Sequence, residues 1–203
     1  MNKEIIDKTI AALRHNHFEA FFAHNTAEAS AIFFRDIFPG LQVETVSWGD
    51  SETMKATGVL NELQKNPELS VIDSFAPGMS RKQKIYWRRQ ALLTDLFLTG
   101  SNALTQKGQL VNLDMIGNRV GGITFGPKHV VLFIGINKIT ANLEEAMHRV
   151  RTIAAPEMQY AMKASVPHAT RPVYVWIVIA PTGFVTSGQL QKRVIRQAES
   201  KSF

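Results

Sequence analysis

The 203-residue chain contains no cysteine. That excludes disulfides, a thiol nucleophile, and thiolate ligation of zinc or an iron–sulfur cluster by this polypeptide. It also lacks any apolar run near the roughly 18–20 residues that a membrane span requires. The longest, Val173 to Ala180, has the length of a strand. The first residues, MNKEIIDKTIAALRHN, carry acids early and have neither an apolar h-region nor a small-residue cleavage site. They read as an N-terminal helix over 1–16 rather than a signal peptide, and the expected location is the cytoplasm. Also absent are a Ser/His/Asp order, a Walker loop and a GxGxxG turn, which removes the commonest nucleotide and hydrolase signatures. No set of His, Asp and Glu has the spacing of a complete metal site. His15, His17, Glu19 and His24 are close in sequence, but only His17 and Glu19 could share a strand face.

Charge of one sign is in modest excess. The net charge is +6, with much of it in Arg81–Arg89 and in a C-terminal run, Gln191–Arg196. Both read as helices with a solvated face, so the distribution argues against nucleic acid and is compatible with a small anionic ligand. The hydrophobic and charged fractions are those of an ordinary globular chain, and the length suits one domain over 1–203. No cofactor is evident.

What the chain does have is a glycine-rich stretch from Asp95 to Ile139 holding more than half of its 13 glycines. Short apolar runs, Leu96–Leu98, Leu110–Leu113 and Val130–Ile136, alternate there with small polar clusters. Such runs bounded by Gly, Asn and Pro read as buried strands. Upstream, Ile5, Ile6, Ile10 and Leu13 share one face of a helix over 3–15. A short strand follows at 18–23, then a helix over 27–37 capped by Asn25 or Thr26. Next come a strand at 43–46, a helix capped by Ser51 or Asp50 and running to about Gln64, a strand at 69–72 and a helix over 81–93 capped by Ser80. This strand–helix alternation predicts parallel strands with crossover helices. From Leu110 to Ile134 no helix is expected, so strands there should pair locally and partly antiparallel. A helix over 141–154 capped by Thr140 or Asn142, a second short helix and a strand at 173–179 complete the chain.

In such sheets ligands bind at the carboxyl ends of the parallel strands. Two segments fit. Gly49, Asp50, Ser51, Glu52 and Thr53 lead from a strand into a helix start, and Thr99, Gly100, Ser101 and Asn102 end another strand. Their polar groups could hold phosphate or carboxylate oxygens, or could simply cap and turn the chain. Asn112 and Asp114 would share one strand face, followed by Gly117, Asn118 and Arg119. Arg119 suits either a structural pair with the carboxylate or a guanidinium clamp on an anionic substrate.

The pieces Val46–Thr53, Ala91–Thr105, Gly108–Asp114, Gly117–Val120, Phe125–Lys128, Gly135–Ile139 and Ala154–Pro156 together resemble the LUD (lactate-utilisation) domain family, the group that includes lactate-utilisation protein C. The resemblance implies a three-layer α/β/α, Rossmann-like and mostly parallel fold like that of sugar-phosphate isomerases and coenzyme A transferases. It implies a part in oxidation of lactate or a similar organic acid, with iron–sulfur proteins as partners. Two departures stand out. Many short members carry cysteines where this chain has Lys163–Arg171, within a divergent C-terminal segment 163–203, and many carry acids where it has Gln106-Lys107. A carboxylate often does the chemistry in the related enzymes, which leaves Asp114 and Glu52 as catalytic candidates. An isomerase or transferase acting on a sugar phosphate or acyl thioester is therefore the alternative, and a ligand-binding regulatory module a third. A homo-oligomer is compatible with the aromatic residues Phe18–Phe22 and Tyr86-Trp87.

Overall fold

Alternation of side chains along the central strands sets the architecture. The computed structural model describes residues 3–156 and 175–180. Along β4 (Leu96–Thr99), Leu96 and Leu98 point to one face and Phe97 to the other. Along β7 (His129–Gly135), Val131 and Phe133 oppose Val130, Leu132 and Ile134. All eight are buried, so each face of the sheet requires its own cover. The helices α2 (Thr26–Ile32), α3 (Glu52–Ala56) and α4 (Val59–Lys65) cover the first face through Ala29, Ile32, Met54, Val59, Leu60 and Leu63. The second face is covered by α1 (Lys3–His15), through Leu13, and by α6 (Asn118–Thr124), through Ile123. This is the expected three-layer α/β/α arrangement.

The main sheet also contains β1 (Glu19–Ala23), β2 (Thr45–Trp48), β3 (Ser70–Val71) and β9 (Val175–Ala180), in the order β1-β9-β7-β4-β2-β3. The pairs β3–β2, β2–β4 and β4–β7 are parallel, and β9 runs antiparallel to both β7 and β1. The sheet is mixed but mostly parallel. A three-stranded sheet, β6-β5-β8, is formed by β5 (Ala103–Thr105), β6 (Leu110–Val111) and β8 (Ile139–Thr140). Leu104 of this small sheet packs toward the main core, while Ala103 and Val111 pack under Ala146 of α7 (Leu143–Arg149).

Several expectations change. The region from Leu110 to Ile134 does contain a helix, α6, and it serves as the crossover that lets β7 lie parallel to β4 instead of pairing locally. Gly121-Gly122 lowered the helical signal, yet Gly122 is there because Phe97 leaves no room: a Cβ would lie 2.8 Å from its ring. The helix after Ser51 is two helices, broken where Gly58 takes φ +73° and caps α4. The strand placed at 43–46 forms at Thr45–Trp48, because Asp95 accepts the backbone N–H groups of Glu44 and Thr45 at 3.1 and 2.9 Å and fixes the register there. The aromatic residues of the β1 region are mostly spent internally: Phe18 is buried, and Phe21 and Phe22 pack against opposite cores. The short helix expected after Pro156, Lys163–Arg171 and Gln191–Arg196 lie outside the described residues.

Candidate functional site

Chain direction after β2 and β4 creates a crevice. From β2 the chain enters α3 and α4 on one face; from β4 it passes through the small sheet to α6 on the other. Adjacent parallel strands whose connections leave to opposite faces open a gap at their carboxyl ends, where ligands bind in folds of this kind. Gly49 to Thr53 follows β2 at this gap, and Thr99 to Asn102 ends β4, so the structure brings the two sequence-predicted segments together. Gly49 N–H donates to the Leu98 carbonyl at 2.9 Å.

Two glycines are needed for that approach. A Cβ on Gly49 would sit 2.8 Å from Thr99 Oγ1, 3.0 Å from Arg119 Cγ and 3.2 Å from Phe97 Cζ. A Cβ on Gly100 would collide with Ser51 Oγ and lie 3.1 Å from the Phe133 carbonyl. Arg119, distant in sequence, therefore lies against the β2 terminus. Burial pushes its pKa below the ordinary value, and the Asp114 and Asp50 carboxylates oppose that shift. An arginine remains a cation at neutral pH.

The guanidinium is held from one side. Its Nη2 donates to Asn102 Oδ1 and, at 2.8 Å, to the Leu113 carbonyl. Asn102 in turn accepts the Leu113 N–H at 2.9 Å and gives its own N–H to Asn112 Oδ1 at 3.2 Å. Nε and Nη1 have no hydrogen-bond partner among the described residues. Among the described residues the structural pairing of Arg119 is thus with amide and carbonyl oxygens rather than with a carboxylate oxygen.

Next to it, Thr99 is wholly buried and its hydroxyl has no hydrogen-bond partner among the described residues. An unsatisfied buried hydroxyl costs about 1–3 kcal/mol and is uncommon enough to mark a place where another group completes the bonding.

The carboxylates are otherwise engaged. Asp114 does not share a strand face with Asn112, because β6 ends at Val111. Instead Asp114 Oδ2 accepts the N–H groups of Arg119 and Val120 at 2.8 and 3.1 Å, capping α6, whose start is set by Gly117 at φ +85°. Asn118 is the first residue of that helix. Glu52 and Asp50 are exposed and both pair with Lys55, at 3.0 and 2.6 Å. Partial burial works against the Lys55 cation, but the two carboxylates more than reverse this and hold its pKa above the ordinary value. Ser51 Oγ accepts Met54 N–H and caps α3; Thr53 is buried in the first turn of that helix; Ser101 Oγ donates to the Ala103 carbonyl at 2.8 Å. Ser51, Ser101 and Asn112 therefore shape the site through caps and turns.

Sequence reasoning missed Arg149. At the end of α7 it is buried, donating Nε to the Asn137 carbonyl at 3.0 Å and Nη1 to the Asn102 carbonyl. It ties the loop after β7 to the loop that holds Arg119. In the sequence it looks like any basic residue in a last helical turn.

Among the described residues the histidines do not assemble. His17 sits in the turn before β1 with φ +64°, outside the strand that carries Glu19 and whose face the two could have shared. Among the described residues no three His, Asp or Glu side chains are placed to hold a metal, and no helix is long and apolar enough to cross a membrane. A groove of about 420 Å³ lined by Arg14, His17, Phe18, Glu19, Ala20 and Phe21 lies at the start of β1.

No curated protein and no solved structure matches the chain. A family model described as the LUD domain matches residues 6–172, which takes in every strand of the main sheet except β9 and all of the crevice residues. With that match covering most of its length, the chain belongs to the LUD domain family.

Proposed function

We propose that the crevice binds a small organic anion, lactate or a close relative, and that the chain serves in the cytoplasm as the non-redox component of an organic-acid oxidation system. Its iron–sulfur and electron-transfer subunits are then other polypeptides, since a chain without cysteine offers no thiolates to a cluster. One observation carries the reading: a cation fixed by Asn102 and Leu113 stands beside a buried Thr99 hydroxyl without a partner among the described residues, where the β2 and β4 connections diverge. The lactate assignment is supported by the family resemblance.

A binding role is favoured over self-contained catalysis because both candidate catalytic carboxylates already have structural duties. Asp114 caps α6 and Glu52 pairs with Lys55 in solvent. The enzyme alternative, an isomerase or transferase, would work through Asp114 Oδ1, which lies outside the capping bonds.

Thermal shift against lactate, pyruvate, sugar phosphates and coenzyme A thioesters tests the proposal. Binding to the native state alone adds about 2.7 kcal/mol at a hundredfold excess over Kd. A shift with hydroxy or keto acids that is lost in Arg119→Ala supports it. Turnover of a sugar phosphate or thioester by the isolated chain, lost in a folded Asp114→Asn variant, would replace it with the enzyme reading.

A further inference from the structure

Helix α5 (Arg81–Gln90) crosses from β3 back to β4, yet none of its ten residues is buried. It contains five cations, Arg81, Lys82, Lys84, Arg88 and Arg89, and no acid. Elsewhere, Arg35, Lys55, Lys65 and Lys128 each meet a carboxylate within 3.0 Å. None of the five on α5 has an ion-pair partner among the described residues.

Spacing sorts the helix into two faces. Lys84, Ile85 and Arg88 turn inward, with the Arg88 guanidinium 5.4 Å from the centre of the Phe75 ring, which itself stacks on Trp48. Lys82, Tyr86 and Arg89, at i, i+4 and i+7, form an exposed outer stripe. Tyr86 is 55% exposed and Trp87 beside it 37%, and Leu93 at the end of the following turn is 77% exposed. The helix is also held firmly: Ser80 and Gln83 form a reciprocal capping box.

We infer that the outer face of α5 is a docking surface for a protein with an apolar pocket rimmed by carboxylates. Trp, Tyr and Arg are the residues that most often anchor protein interfaces, and a rigid aromatic knob loses little conformational freedom on binding. Arg81, Lys82 and Arg89, exposed and without an ion-pair partner among the described residues, repel one another, and an acidic rim relieves that repulsion while steering encounter.

A second copy docking through the same face would oppose like charges. The chain's own C-terminal run, Gln191–Arg196, is basic as well. A nucleic acid is less suited than protein. Tyr86 and Trp87 pack edge to face, with centroids 5.2 Å apart at 78°, so the pair presents one knob and not two stacking platforms.

The test is fluorescence anisotropy of the full chain with three labelled probes: a Glu-rich helical peptide bearing a Leu stripe, the same composition with the Leu residues scattered, and a DNA duplex of matched charge. The striped peptide is expected to bind best. Tyr86→Ala/Trp87→Ala should weaken it about tenfold or more, as loss of an anchor does. Lys82→Glu/Arg89→Glu should do the same and flatten the salt dependence. Lys3→Glu/Lys8→Glu, an equal change of charge on α1, should have no effect. Arg119→Ala should leave binding intact, which separates this surface from the anion crevice. No binding, equal binding of both peptides, or an equal loss in the α1 control would overturn the inference. Tighter binding of DNA, lost with Lys82 and Arg89, would make the face a nucleic-acid surface instead.

Discussion

At Asp95 one carboxylate does the work of several contacts. It accepts the N–H groups of Glu44 and Thr45 and the Thr45 hydroxyl, at 3.1, 2.9 and 2.8 Å, and pairs with Lys128. The Lys128 ammonium first, then the Thr45 and Glu44 donors, outweigh burial and hold its pKa far below the ordinary carboxylate value. A carboxyl depressed in the folded state stabilises that state above its unfolded pKa of about 3.9 and loses the contribution as pH falls below it. Asp95→Asn should therefore cost about 1–3 kcal/mol near neutrality, by leaving donors unmatched. Chemical denaturation at several pH values checks this: the gap from wild type should be full above pH about 5 and shrink in more acidic solution. Asp95 escaped the sequence reading because its partners are distant in the chain, Glu44 and Thr45 about fifty residues upstream and Lys128 well downstream. Arg119 was legible as a site candidate. That its Nη2 rests on Asn102 and Leu113 was not, since the contact depends on where α6 begins.

Among the helices, α6 was the one not foreseen, and it shows where pattern reading stops. Two adjacent glycines destabilise an isolated helix by roughly 1 kcal/mol each relative to alanine. In the folded protein Gly122 lets the helix settle on the Phe97 ring, and Asp114 caps its start. Gly122→Ala would improve helix propensity in isolation but is expected to destabilise the protein by about 1–3 kcal/mol, because the added methyl must displace a buried ring. Thermal unfolding of the variant decides which effect is larger; a raised midpoint would mean that Phe97 yields easily. Caps were read more securely than helix lengths. Asn25, Ser51, Ser80 and Asn142 each accept the expected backbone N–H, a bond that depends only on residues two or three positions away.

For the molecule as a whole, stability and site geometry are carried by different residues. The two cores on either side of the sheet are built from Leu, Val, Ile and Phe, with Phe33, Phe97 and Phe133 fully buried. Phe133→Ala, on the far face from α6, should cost about 3–5 kcal/mol. Arg149 lies under the loops. Arg149→Met should weaken anion binding in the crevice more than it lowers the unfolding midpoint, because it releases Asn102 and with it the guanidinium of Arg119. Binding titrations beside unfolding curves separate the two effects, and parallel losses in both would reduce Arg149 to a purely structural role.

The alternating fold class, the capped helix starts and the two strand-end segments are written in local order, since periodicity and capping act over a few residues. Which strands become neighbours is not local. The parallel pairing of β4 with β7, the separate β6-β5-β8 sheet and the approach of Arg119 to Gly49 follow from crossovers that join distant segments. In the polar cluster after β6, Asn112 and Asp114 looked like neighbours on one strand face, with Arg119 following close behind. Packing divided it: Asn112 orders a loop, Asp114 caps a helix, and Arg119 reaches the crevice. A hydrogen bond is short-ranged and directional, so its partner is chosen only after the chain has been brought round.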